Sequence, residues 1–367
     1  MNIYLLTDGM CENPLDKTSL LMSSHPNLDI LTSYGKMGFY EPVIRDYIHN
    51  PETFIIFPFF FGLHPMNNPG RAGLELFELG NDISNLQSFC IIRVVHKEYN
   101  IFKVLNNDSI DSTWTKAPKL VNTQEIQQLI DDVESFLKTV KIIKSPRRDN
   151  VWSIGAISKA DLEDAINLIQ FKLNSLDYNV YAMLMNDFKY IPYHPQSMKS
   201  MTFLGWGFST LIEAFRFAGI NIHQSFSDIK NHLFDYEKKH KDFDENILPY
   251  LIASKESDET CILFFKEPSR AAREYTTPDL KIQSIGFIDE IVGKLLNAFV
   301  GDSVNIIVLS DHQSNIGSKR TYPGQTMYYY GNLAREHSKK ALFNEICATN
   351  EVLEQQDLIK KINEYIN

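Results

Sequence analysis

Two places in this 367-residue chain set metal-ligating side chains at the end of an apolar run. The run Ile3-Tyr4-Leu5-Leu6 ends in Thr7-Asp8-Gly9, and a late run, Ser303 to Leu309, ends in Ser310-Asp311-His312. Carboxylates and an imidazole are the ligand set expected for zinc, manganese or magnesium held with positions open to substrate. Each segment also has a plainer reading, since an Asp after a strand commonly caps the following helix and an Asp-His pair arises by chance.

The elements around them set the chemistry in context. Ile3–Leu6 reads as a buried strand that delivers an acidic side chain at its C-terminal end, where open α/β sheets place their sites. Leu15, Leu20, Leu21, Leu28 and Leu31 read as core, with Pro26-Asn27 opening a short helix at Leu28. The block FIIFPFFFG, from Phe54 to Gly62, is either a buried strand interrupted by Pro58 or the first turns of a buried helix. A middle region, about 85 to 196, alternates strands (Cys90–Val95, Val180–Leu184) with helices (Gln124–Val140, Lys159–Asn174) and is broken by Ser145-Pro146-Arg147-Arg148-Asp149-Asn150. The α/β rhythm then resumes with a helix at Ser209–Phe217, a strand at Thr260–Phe265, a helix at Asp279–Ala298 and the strand that ends in Asp311. A terminal amphipathic helix is expected over Leu353–Ile366.

Apolar residues at 44% and charged residues at 22% describe a folded globular chain with a real core, and the length favours two lobes. With 36 basic and 46 acidic residues the net charge is −10, a field that repels nucleic acid and anionic membranes. A phosphate-bearing substrate therefore needs a local cation, either a metal or a Lys and Arg pocket. Cys11, Cys90, Cys261 and Cys347 form no CxxC pair, which fits a reducing compartment. No basic leader or long apolar run is seen, so the expectation is a cytoplasmic protein with no membrane partner.

LTDGMCENPL followed by HPNLDILTSYGKMGFYEPV resembles the opening of the cofactor-independent phosphoglycerate mutases, especially their archaeal-type branch, within the alkaline phosphatase superfamily. VNIIVLSDHQS resembles that family's TADH motif, and KEPSRAAREYTTPDLKIQSIGFIDEIVG its segment ending in an IDxxVG-like helix. FLGWGFSTLIEAFRFAGI is similar to its glycine-rich turn leading into a helix. The likeness covers roughly the first 80 residues and much of 200–335. It implies an α/β fold with an alkaline-phosphatase-like core sheet sandwiched by helices, formed by 1–84 and 197–367, and a smaller inserted α/β region at 85–196.

The resemblance further implies that Asp8, Asp311, His312 and a nucleophilic hydroxyl hold one divalent ion, manganese or zinc before magnesium. Thr53 falls at the nucleophile position, though a helix N-cap is its plainer role. Arg71, in Pro69-Gly70-Arg71-Ala72, matches the family's glycine-arginine turn as a phosphate contact. The second metal's ligand positions read Ser269, Arg273 and Thr321, none a good ligand. Arg273 is the cation that would replace that metal's charge by bidentate hydrogen bonds to phosphoryl oxygens, or else a surface residue beside Glu274. One-metal sites of this composition occur in the superfamily's lipoteichoic-acid synthases and phosphoethanolamine transferases. Asp111 is followed by Ser112 where the mutases have an Asp-Arg pair, which argues against phosphoglycerate, and His64 reads as structural or merely exposed.

The leading expectation is an enzyme: metal-dependent phosphoryl transfer, as phosphatase, phosphotransferase or mutase, on a small phosphorylated metabolite through phospho-Thr53. The alternative is an inactive descendant that binds a ligand or protein partner, suggested by the lost second-metal ligands and by apolar Phe54 and Phe57 where the family prefers polar residues. The chain lacks the Cys/Ser-x-Pro-x-Arg motif of sulfatases.

Overall fold

A computed structural model describes residues 1–13, 17–42, 53–63, 67–97, 122–146, 150–187, 201–204, 206, 209–225, 234–275, 277–317, 325–336, 341–345, 348 and 352–366. Leu15, His64, Asp111, Ser112, Arg147, Arg148, Thr321 and Cys347, which entered the sequence reading, lie outside these residues. In chain order the elements are β1 Asn2–Thr7, α1 Ser19–Met22, α2 Pro26–Leu31, β2 Gly35–Glu41, α3 Thr53–Phe60, α4 Gly70–Glu78, β3 Ser88–His96, α5 Thr123–Leu137, β4 Val140–Lys144, β5 Val151–Ala156, α6 Lys159–Asn174, β6 Tyr178–Asp187, β7 Met201–Leu204, α7 Ser209–Phe217, β8 Ile222–Ser225, α8 Tyr236–Asp242, α9 Leu248–Ala253, β9 Thr260–Phe265, α10 Glu267–Glu274, α11 Asp279–Phe299, β10 Asn305–Ser310, β11 Thr326–Asn332, β12 Val352–Glu354 and α12 Gln355–Ile366. The chain splits into two compact units: Met1–Phe61, Gln196–Phe208 and Ile220–Asn367 make the first, and Gly62–Pro195 with Ser209–Gly219 the second.

The first unit is built on an eight-stranded mixed sheet in the order β12-β2-β11-β10-β1-β9-β7-β8. β1 lies inside it, parallel to both β9 and β10, so it is buried on both faces and all but its first residue are apolar or buried. β11 runs antiparallel to β10 and to β2, which makes the sheet mixed. α11 covers it with a continuous stripe of buried residues, among them Ile285, Ile288, Val292, Leu295 and Phe299. Trp206, Phe243, Phe265 and Phe287 fill the same core.

FIIFPFFFG is helical. Thr53–Phe60 forms α3 with Pro58 inside it, and Ile55, Ile56, Phe57, Phe59 and Phe60 are all buried. A helix that is apolar all round tolerates a missing N–H where packing on every side holds it in place. Phe57 meets Phe264 of β9 edge to face at 6.0 Å between ring centroids, so it is a core residue.

Two of the motifs that carry the resemblance meet here. Asn27, from HPNLD, donates through Nδ2 to Asp289 Oδ2 at 2.9 Å, and the Leu28 amide donates to Asp289 Oδ1 at 2.7 Å, from IDEIVG. Asp289 thus accepts from an N-terminal amide of α2, where helix donors lack internal partners. A Cβ at Gly293 would lie 2.7 Å from Asn27 Nδ2, which explains the glycine one turn after the acid.

The second unit carries a four-stranded antiparallel sheet, β4-β5-β3-β6, in which β3, α5, β4, β5, α6 and β6 follow one another along the chain. This is the βαββαβ arrangement of a ferredoxin-like layer. α5 and α6 pack over one core containing Ile130, Trp152 and Ile169, while α4 contributes Ala72 and Leu76 to another with Phe89 and Ile91. The helix expected over Gln124–Val140 stops at Leu137, because Lys138 turns left-handed at φ 53° and Val140 already begins β4. The terminal helix likewise starts at Gln355, since Val352–Glu354 pairs with β2.

Gly293→Ala is expected to cost about 1–3 kcal/mol in urea unfolding through overpacking against Asn27. An unchanged midpoint would show that the α2 contact tolerates the methyl group.

Candidate metal centre

Strand register creates the site. Thr7 of β1 stands opposite Phe265 of β9 and opposite Ser310 of β10, so the next residues, Lys266, Asp8 and Asp311, leave three neighbouring parallel strands at one level. The Asp8 amide donates to Phe265 O at 2.8 Å and the Asp311 amide to Thr7 O at 3.3 Å, which carries the pairing up to the ligands themselves. Tyr40 Oη of β2 and Thr326 Oγ1 of β11 both donate to Ser310 O, at 2.6 and 3.0 Å, and fix the end of β10.

Asp8, Asp311 and His312 are all buried, and one ligand atom from each lies within 4.8 Å of the others. His312 Nε2 is 3.0 Å from Asp8 Oδ1 and 3.5 Å from Asp311 Oδ2. His312 Nδ1 lies 3.2 Å from Gln313 O and 3.3 Å from Ser314 Oγ. A carbonyl only accepts, so Nδ1 carries the hydrogen and Nε2 is the atom turned toward the carboxylates, as a metal-ligating imidazole requires.

Thr53, first residue of α3, donates from Oγ1 to Asp311 Oδ2 at 2.5 Å, so its hydroxyl is directed into the site. Asp311 Oδ1 accepts from the amides of Gly9 at 2.9 Å and His312 at 2.8 Å. Gly9 has to be glycine: its φ is +65°, and a Cβ there would lie 2.3 Å from Ser314 Oγ and 2.9 Å from Ser269 Cβ.

α10 brings the next residues. The Ser269 amide donates to Asp8 O at 2.9 Å, and Arg273, one turn on and on the same face, donates from Nε to Ser269 O at 3.3 Å. Arg273 Nη2 is 3.9 Å from Asp8 Oδ2. Ser269 is fully buried and its Oγ accepts from Ser314 Oγ at 3.3 Å. Arg71 belongs to the second unit, where it is the second residue of α4 and half-buried.

The electrostatics follow from burial and crowding. Burial, with Asp8 alongside, raises the Asp311 carboxyl to about 6. Burial also opposes ionisation of Asp8, but His312, Arg273 and Lys266 outweigh it and hold that carboxyl well below its usual range. Burial favours a neutral His312, and the two carboxylates overcome it and raise the ring's pKa. Two buried carboxylates and an imidazole so close together are a divalent-cation donor set. Among the described residues, Asp8 Oδ1 is buried without a well-directed hydrogen-bond donor. An orphaned carboxylate oxygen of that kind is what a cation would satisfy, so the residues fit the metal.

Lys266 and Ser314 were missed in sequence. Lys266 directly follows a strand, as Asp8 does, but only the strand order shows that it stands beside Asp8. Ser314 is two residues past His312, within reach of the metal motif.

Neither a family model nor a curated relative matches the sequence. Solved structures do. The PH0037 protein from Pyrococcus horikoshii aligns at TM-score 0.64 with 14% identity, covering 100% of this chain and 97% of that one. The cofactor-independent phosphoglycerate mutase from Thermoplasma acidophilum aligns at TM-score 0.53 with 13% identity and full coverage of both chains. The chain shares its fold with the cofactor-independent phosphoglycerate mutases. An alkaline phosphatase from TAB5 is matched more distantly, at TM-score 0.41 and 11% identity over 100% of this chain and 97% of that one. The mixed α/β sheet flanked by helices agrees with the alkaline-phosphatase-like core read from the motifs.

Gly9→Ala is expected to lose at least about 1 kcal/mol of stability, from the left-handed backbone alone. Displacement of Ser314 should weaken Mn²⁺ binding in the same variant, read by isothermal titration; unchanged stability and affinity would contradict the close approach.

Proposed function

We propose that the chain is a one-metal phosphoryl-transfer enzyme acting on a small phosphorylated metabolite through phospho-Thr53. The observation that carries this reading is the hydroxyl of Thr53 held at 2.5 Å by the carboxylate that also belongs to the metal triad. Asp8, Asp311 and His312, with Thr53, would hold one divalent cation, of which manganese, zinc and magnesium suit the donors. Bound there, such a cation neutralises phosphoryl oxygens and makes a nearby hydroxyl more acidic.

The chain's own residues supply the rest. Thr53 Oγ1 attacks phosphorus as its proton passes to Asp311 Oδ2. The bond from phosphorus to the leaving oxygen breaks, and that oxygen keeps the electron pair. Water or an acceptor hydroxyl then takes the phosphoryl group from Thr53, which recovers a proton. Arg273, whose Nη2 approaches Asp8 Oδ2 while His312 approaches Oδ1, would offer its guanidinium to equatorial oxygens, with Lys266 adding positive field. The resemblance puts Ser269 at the position of a second-metal ligand, where it offers only a buried hydroxyl, and in this reading the guanidinium of Arg273 supplies fixed positive charge in that metal's stead. The fold shared with a phosphoglycerate mutase supports phosphoryl transfer as the general chemistry.

The lost second-metal ligand also favours a second reading, a descendant that binds a phosphorylated ligand or a protein partner without turnover. Elemental analysis after Mn²⁺ or Zn²⁺ loading should give one ion per chain. Thr53→Ala should abolish both hydrolysis of p-nitrophenyl phosphate and ³²P labelling of the protein, and Arg273→Ala should reduce kcat/KM by about 10²–10³-fold, as for removal of one transition-state donor. A protein that takes up no metal ends the enzyme reading; one that takes up metal but neither labels nor turns over is the binding descendant.

A further inference from the structure

Lys281 sits in the first turns of α11 on its buried face, in line with Ile285, Ile288 and Val292, and its side chain has no exposure at all. A buried ammonium is costly, and a hydrophobic residue in the stripe would be cheaper unless the charge is needed. Its Nζ donates to Ser314 O at 2.6 Å and reaches Cys11 O at 3.5 Å, and it pairs with Glu12 Oε1 at 3.0 Å. Cys11 and Glu12 lie on the loop that follows Asp8, and Ser314 lies on the loop that follows Asp311-His312. The Ser314 amide also donates to Cys11 O at 2.9 Å, and Cys11 makes an isolated parallel bridge with Gln313. One ammonium therefore joins both ligand loops at the point where they touch.

From Ser314 the connection runs to the metal triad in one step, since Ser314 Oγ is 3.3 Å from His312 Nδ1. Glu12 has a second duty, accepting the Ser19 amide at 3.2 Å, which fixes the far side of the first loop. We propose that Lys281 is a positioning residue of the metal centre, setting the spacing of the Asp8 and Asp311-His312 loops and the orientation of the His312 ring. The inference rests on the metal reading above. It assigns Lys281 no contact with substrate or ion.

A simple structural role is separable because the fold contains a second buried pair. Lys239 and Glu267 are ion-paired in the same unit, at 0% and 2% exposure, and neither belongs to either ligand loop. Lys281→Met alone would leave Glu12 buried and unpaired, so the test uses Glu12→Gln/Lys281→Met, with Lys239→Met/Glu267→Gln as control. Each full-length protein is titrated with Co²⁺, whose visible spectrum reports ligand number and geometry. The expected result is an affinity about 10–100-fold weaker with an altered spectrum in the Lys281 double variant, as for other groups that orient metal ligands, and wild-type binding in the control.

Wild-type affinity and spectrum in the Lys281 double variant overturn the proposal, and so does an equal loss in both double variants. If the wild-type protein itself binds no Co²⁺, the metal reading falls and takes the inference with it. Ser314→Ala cuts the same path without disturbing the buried charges. Should the Lys281 double variant not fold, a weakened, spectrally altered Ser314→Ala supports the proposal and a wild-type one overturns it.

Discussion

Two carboxylates, Asp8 and Asp311, are buried side by side at the ends of adjacent strands, and the rest of the site is a response to that charge. At short range in a weakly polarisable interior, like charges repel strongly and both lose hydration. The chain answers with oriented donors on Asp311, from the Gly9 and His312 amides and Thr53 Oγ1, and with cations near Asp8, from Arg273 and Lys266. Asp311 remains the more easily protonated of the two. A divalent cation held by Asp8, Asp311 and His312 would resolve the same conflict more completely.

Beside Asp8 the fixed positive charge is that of Arg273, whose Nη2 lies 3.9 Å from Asp8 Oδ2. A guanidinium is fixed in charge at any physiological pH and binds oxygens through a planar fork. Arg273 is tethered to the same helix turn as Ser269, whose amide holds the Asp8 carbonyl. The Arg273 guanidinium is thereby tied to the strand end through one short helix.

Much of this was legible in sequence because the signals were local. The apolar runs of β1, β9 and β10 and the long stripe of α11 mark their elements directly, and an acid at a strand end is visible without knowing the sheet. What could not be read is what depends on sheet order: Lys266 becomes a neighbour of Asp8 only once β9 is placed beside β1. β2 and β11 were harder, since Gly35–Glu41 and Thr326–Asn332 hold little aliphatic alternation, and β11 is recruited as an antiparallel strand between β10 and β2. FIIFPFFFG stayed ambiguous because an element buried on all sides has no polar face to reveal its period. HPNLD and IDEIVG resembled known motifs, yet their meaning, an Asn27–Asp289 contact over Gly293, is purely architectural.

The central place of β1 also bears on how the molecule is made. Asn2 to Thr7 are synthesised well before their partners on either side, Thr260 to Phe265 and Asn305 to Ser310. Most of the second unit is one unbroken stretch that can close its own sheet in the meantime. Until those partners are made, the nascent chain carries an apolar strand without its sheet neighbours, the kind of segment that chaperones hold, and Asp8 meets Asp311 and His312 only after β10 has been made.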